Sequence, residues 1–258
     1  MGEVVKRLIK NLLKSVNLLG IAKITAYRLV GYNAVNIQQR RKTLHFYSQF
    51  IRKGNLVFDI GANVGRRTEV FIELGAKVIC VEPQKACLQR LYESFGNNNK
   101  VIIVAKGIAD VEGFAELYIS ENSIISTMSS KWKNEGRFAK GNKWVETEKI
   151  ATTTLDYLLN QYGLPAFCKI DVEGFEKKVL SMLKRQIPSI SFEFCREFFD
   201  DAKDCVNHLL SIGKYRFNCS IGESMELLSP VWLAPDRLYA ILDSLDDRLL
   251  WGEIYAKL

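Results

Sequence analysis

The stretch Leu56-Val57-Phe58-Asp59-Ile60-Gly61-Ala62-Asn63-Val64-Gly65 constrains the fold more than any other. A short apolar run bounded by glycine marks a strand buried on both faces, which is the habit of a parallel sheet covered by helices. Glycine after such a strand lets the backbone turn tightly and lets a ligand approach it closely. The following residues, Arg66 to Leu74, read as a helix whose N-terminus points at whatever sits over the turn. In open α/β sheets that place, at the carboxyl ends of the strands, is where nucleotide-like ligands bind.

The turn is not a dinucleotide fingerprint, which would read G-x-G-x-x-G. Here Gly61 and Gly65 are separated by three residues, with Asn63 between them and Asp59 just before. An acid at this point repels a pyrophosphate and suits a cationic group. S-adenosylmethionine, with an amino-acid tail and a sulfonium, meets that description. A plain strand-to-helix glycine turn would have the same local pattern, so the features downstream decide.

Lys77 to Glu82 reads as a second strand, ended by Pro83, and Glu82 sits at its carboxyl end, 21 positions after Gly61. An acid about 20 residues past the first glycine accepts hydrogen bonds from ribose hydroxyls in nucleotide-binding α/β domains. Gln84 to Phe95 reads as a helix and Val101 to Ala105 as a third strand. Ala109 and Asp110 follow its exit, where an adenine could rest, although Asp110 is equally a turn residue before Gly113. Residues 120–149 are rich in serine, then basic, without periodicity, and are expected to form a lid over an acceptor. Thr154 is placed to cap a helix.

A second buried strand closes on Lys169-Ile170-Asp171-Val172-Glu173-Gly174-Phe175-Glu176. Asp171 and Glu173 are two apart, hence on one side of the strand end. Two such carboxylates can bind a divalent cation, or one can act as a base; Glu173 could also simply complement the next helix's N-terminus. Glu193 interrupts the apolar run Ser189 to Cys195. A carboxylate there must face the cleft or be paired.

Charge is unevenly distributed. Of the chain's net +7, residues 1–53 hold eleven Lys/Arg against one acid, Glu3, and the remainder is slightly acidic. That distribution gives no protein-wide footprint for nucleic acid. Val5, Leu8, Leu12, Leu13, Val16 and Leu19 recur at helical spacing among lysines, which reads as a basic amphipathic helix. Two roles fit it: packing on the body or on a second subunit of a homo-oligomer, or lying peripherally on an anionic membrane surface through residues 1–30. Six cysteines without a C-x-x-C pair are expected to be buried free thiols of a reducing, cytoplasmic compartment.

Asp59–Gly65 (DIGANVG), Val81–Pro83 (VEP), Thr152–Asp156 (TTTLD), Lys169–Glu176 (KIDVEGFE) and Trp251–Ala256 (WGEIYA) together resemble the FkbM-type methyltransferases. The resemblance spans about Leu56 to Tyr255. It implies a Rossmann-like α/β fold: a seven-stranded, mostly parallel sheet flanked by helices, with an antiparallel last strand. The expected organisation is a helical extension over 1–53 and a catalytic domain over 54–258. The resemblance implies that Asp59, Gly61, Asn63 and Gly65 cradle the tail of S-adenosyl-L-methionine, that Glu82 holds the ribose, and that Ala109 and Asp110 meet the adenine. It implies O-methylation of a hydroxyl on a sugar, glycan or secondary metabolite. Asp171 is then the first candidate base and Glu173 the next; with a cation such as Mg2+ bound, Asp171 would be its ligand. A nucleic-acid methyltransferase is the competing enzyme reading, disfavoured by Ile-Asp-Val-Glu-Gly where base-amine enzymes carry Asn/Asp-Pro-Pro-aromatic. A non-catalytic module that binds the cofactor is the other alternative.

Overall fold

The structure, a computed structural model, describes residues 37–122, 125–139 and 141–258. The chain divides into two compact units, 1–43 and 44–258. Of the first, residues 37–43 are described and are helical, with Thr43 Oγ1 donating to the Gln39 carbonyl. The amphipathic pattern over residues 4–19 lies outside the described residues. The division falls at 43/44 rather than 53/54 because Phe46, Tyr47, Phe50 and Ile51 are buried within the second unit. Their rings pack edge-on and stacked against Phe71, Phe167 and Tyr255.

Seven strands form the main sheet of the second unit: β1 (Leu56–Ile60), β2 (Lys77–Val81), β3 (Val101–Val104), β7 (Phe167–Ile170), β8 (Ser189–Cys195), β9 (Arg216–Ile221) and β10 (Trp251–Lys257). Their order is β3-β2-β1-β7-β8-β10-β9. The first five are parallel, and β10 inserts antiparallel between β8 and β9. A second sheet, β4 (Gly107–Ile108), β6 (Trp144–Thr153) and β5 (Gly113–Ser120), was not legible as a unit in the sequence.

Alternation divides the main sheet's two faces. Phe58, Ile60, Cys168, Ile170, Ile190, Phe192 and Ile254 belong to one apolar core, beneath the helices Leu155–Tyr162, Glu176–Ser181, Phe199–Ile212 and Pro235–Ser244. Val57, Phe167 and Tyr255 belong to the other, beneath the helices Arg66–Glu73 and Lys85–Phe95 and the aromatic residues 46–50. Each buried aliphatic or aromatic side chain contributes on the order of 1.5–3 kcal/mol. Thr154 caps its helix by accepting from the Tyr157 amide at 3.0 Å, as its position suggests.

Candidate active site

The second face does not remain apolar to the strand tips. The pairing register aligns Cys80, Asp59, Lys169, Ser191, Tyr255 and Asn218 in one row across the sheet, all nearly inaccessible to solvent. One step nearer the carboxyl ends, Glu193 faces Glu253 in register, and Asp171 follows Lys169 just past the end of β7. A polar belt thus underlies the edge where the sequence places a ligand.

The amides of the glycine turn are all engaged, within the turn and with the end of β2. The Gly61 and Ala62 amides donate to the Val81 carbonyl, the Asn63 amide to Glu82 Oε2 at 2.9 Å, the Val64 amide to Asn63 Oδ1, and the Gly65 amide to the Ala62 carbonyl. No amide between 61 and 65 is left to receive a pyrophosphate. Gly61, at φ +77°, allows the closest approach: a Cβ there would lie 1.7 Å from the Asp171 carbonyl oxygen. Gly65, at φ +83°, ends the turn and packs on Leu91 and Phe95. Asn63 adopts φ +50°, a left-handed conformation that asparagine tolerates better than most residues.

Glu82 reaches across from the tip of β2, its Oε2 on Asn63 and its Oε1 on the Gln84 amide at 2.8 Å. Burial pushes this carboxyl up to about 7, against the two amides that favour its charged form. Each oxygen keeps a second lone pair for a hydroxyl donor. Asp59 is only 1% exposed, and its Oδ2 accepts from Thr68 Oγ1 at 2.6 Å. It therefore supports the turn from beneath. Burial raises its carboxyl, with the Lys169 ammonium and the Thr68 hydroxyl opposing. Ala109 is buried and bonds its amide to the Thr153 carbonyl, while Asp110 pairs with Lys178 at 3.1 Å, which holds its carboxyl below the usual range.

Beyond β7 the chain brings Asp171, Glu173 and Glu193 together, with one carboxylate oxygen of each within 4.8 Å of the others. Two carboxylates that close repel by on the order of 3 kcal/mol at the effective dielectric of a protein site. Lys169, 3% exposed, donates to Asp171 Oδ2 at 2.6 Å. Although burial opposes its charge, the carboxylates of Asp171, Glu253 and Asp59 hold it as an ammonium. Glu173 and Glu193 are half-buried and pushed well above the ordinary range, first by burial and then by neighbouring carboxylates. Glu176, on the next helix, accepts from the Val172 amide. The three carboxyls supply oxygen donors, but the ammonium on Asp171 occupies the electrostatic place of a metal ion. The arrangement thus fits a divalent cation poorly, contrary to the expectation of Asp171 as its ligand.

The segment between β5 and β6 was expected to be an irregular lid. The structure shows a short helix, Ser130–Glu135, capped by Ser129, and a strap fastened at several points. Thr127 Oγ1 donates to the Glu173 carbonyl at 2.6 Å, and Trp132 packs on Gly174. Arg137 grips both oxygens of Glu197 and the carbonyls of Leu249 and Leu250. These anchors connect residues more than 40 positions apart, so local periodicity carried no trace of them. A cleft lined by Trp132, Gly174, Glu176, Glu193, Phe194 and Phe198 opens beside the carboxyl cluster. Among the described residues, the buried Trp132 indole N–H finds no acceptor.

A family model described as "Methyltransferase FkbM domain" matches residues 59–218. No curated protein matches the sequence. Among solved structures, precorrin-6y C5,15-methyltransferase from Geobacter metallireducens is 11% identical over 85% of this chain and 88% of that chain, with a TM-score of 0.46. A TehB-like SAM-dependent methyltransferase from Corynebacterium glutamicum is 9% identical over 84% and 88%, with a TM-score of 0.43. Fibrillarin from Aeropyrum pernix, in complex with S-adenosyl-L-methionine, is 11% identical over 80% and 68%, with a TM-score of 0.39.

Proposed function

Since the chain belongs to the FkbM methyltransferase family, we propose that it uses S-adenosylmethionine to methylate a hydroxyl of a small molecule or glycan. The observation that carries this reading is the pairing of a glycine turn with no amide to spare and a strand edge lined by carboxyls. A pyrophosphate would find no free amide in the turn and an edge rich in carboxyls, whereas a ribose and a cationic sulfur find acceptors and negative charge.

When bound, the cofactor would supply an activated methyl group. Glu82 would accept from the ribose hydroxyls with its remaining lone pairs, and Asp110 would lie near the adenine. Gly61, Asn63 and Gly65 would shape the turn over which the amino-acid tail lies, and Asp59 with Thr68 would hold that turn in place. The acceptor would enter the cleft beside Trp132 and Glu193, while Phe198 offers an apolar wall. In-line transfer depends on positioning. Removal of the hydroxyl proton, worth about 10²–10⁴-fold, falls to a carboxylate of the Asp171–Glu173 turn.

Titration calorimetry of the intact chain tests the cofactor assignment. S-adenosylmethionine should bind with or without a chelator, and NAD should not. Binding of NAD alone would refute the reading. Labelled-methyl transfer to a panel of hydroxylated acceptors and to RNA then tests the acceptor class; transfer to RNA alone would replace the hydroxyl small molecule or glycan.

A further inference from the structure

Within the carboxyl cluster, charges are unequally provided for. Three carboxyl groups converge, and a single ammonium, that of Lys169, is hydrogen-bonded to one of them. Lys169 has little freedom to choose another: it is buried, stands directly beside Asp59 in the β1–β7 register, and donates to Asp171, two residues on and just past the strand's end. The other charges around the cluster are mostly negative. Glu176 approaches from the following helix, Glu253 stands opposite Glu193 on β10, and Asp59 lies beneath on β1; Arg137 of the strap is the further cation acting on Glu173.

We propose that Lys169 is a positioning residue that fixes Asp171 as the charged member of the cluster, so that Glu173 and Glu193 retain a proton until a sulfonium takes its place. The proposal rests on the methyltransferase reading above. Three carboxylates sharing a half-buried site cannot all ionise beside one ammonium. A proton is the cheapest second cation in the free protein, and a cofactor carrying positive charge over the same strand tip makes it redundant. The carboxyl O–H bond breaks, the proton passes to water or a buffer base, and the electron pair stays on the carboxylate. The cofactor's arrival thereby converts a neutral carboxyl at the acceptor cleft into a carboxylate able to accept the hydroxyl proton. Lys169 acts through Asp171 and touches no reacting atom.

The test compares S-adenosylmethionine with S-adenosylhomocysteine, which has the same nucleoside and tail but a neutral sulfur. Calorimetry of the intact wild-type chain in buffers of different ionisation enthalpy counts the protons released. Binding of the sulfonium should release about one proton more than binding of the thioether, since any proton the ribose draws from Glu82 is common to both, so the ratio of the two affinities should rise up to about tenfold per pH unit across the titration. Glu193→Gln should reduce the release. In Lys169→Met the cluster loses its hydrogen-bonded ammonium, so the release should move to higher pH; Lys169→Arg should restore the wild-type pH range. The wild-type comparison stands even if Lys169→Met does not fold. Sulfonium binding without proton release, or equal release with the thioether, overturns the proposal and leaves the methyltransferase reading intact. Failure of both nucleosides to bind overturns both.

Discussion

Replacing Thr68 with valine removes one hydroxyl from beneath the glycine turn and almost nothing else. Thr68 is wholly buried, and its Oγ1 donates to Asp59 Oδ2 at 2.6 Å while lying 3.0 Å from Cys80 Sγ. Valine fills a similar volume, so the loss is of a hydrogen bond to an acid with almost no access to water. Hydrogen bonds to charged groups are worth about 1.5–3 kcal/mol. A loss of about 2 kcal/mol in a domain of this size lowers the melting temperature by roughly 4–8 °C. The pH dependence has a definite sign. The folded Asp59 carboxyl is raised above its unfolded value, so its contribution to stability is present in full below the unfolded value and lost as pH rises through the folded one. Thr68 stabilises the anion, so the deficit of Thr68→Val should widen with rising pH. Calorimetric melting of wild type, Thr68→Val, Asp59→Asn and the double variant measures the coupling directly. A Thr68→Val melt within about 1 °C of wild type at alkaline pH, or a coupling near zero, would refute the account of Asp59 as an interior support.

Other consequences are equally open to measurement. Gly61→Ala should not yield a native fold, because its Cβ would overlap the Asp171 carbonyl in a backbone region already unfavourable to alanine; a soluble variant with a wild-type melt would contradict this. Glu82, raised to about 7, should make the fold lose stability as pH climbs from about 4.5 through 7, and Glu82→Gln should flatten that slope in pH-dependent melts. Arg137→Met should release the strap, seen as faster limited proteolysis near residues 136–142 with little change elsewhere, since the guanidinium anchors it to Glu197 and two carbonyls.

Much of this was readable in advance where neighbours along the chain carry the signal. The strand Leu56–Ile60, its glycine turn and the acid ending β2 follow from apolar runs, punctuation and spacing. The inward position of Asp59 was also implicit: Phe58 and Ile60 flank it, so strand alternation sends it to the opposite face, where it meets Lys169. Reading it as a cofactor contact weighed its place beside the turn above its parity. The role of Lys169 is hidden in the sequence for a related reason. A lone lysine in a buried strand has a local signature, but its partner Asp171 had already been given another role. The strap and the second sheet were not legible, because Arg137 meets Leu249 and Tyr118 meets Thr127 through polar contacts without a repeating pattern.

The insertion of β10 between β8 and β9 has a consequence for how the molecule must be assembled. Strand β8, which carries Glu193, gains its outer neighbour only when residues 251–257 arrive, nearly two hundred positions after the glycine turn. Until then β8 presents a bare, strongly apolar hydrogen-bonding margin, a template for intermolecular pairing. A nascent chain paused before Trp251 would be sticky and without a finished cleft, so self-association of such truncated products is the hazard built into this topology.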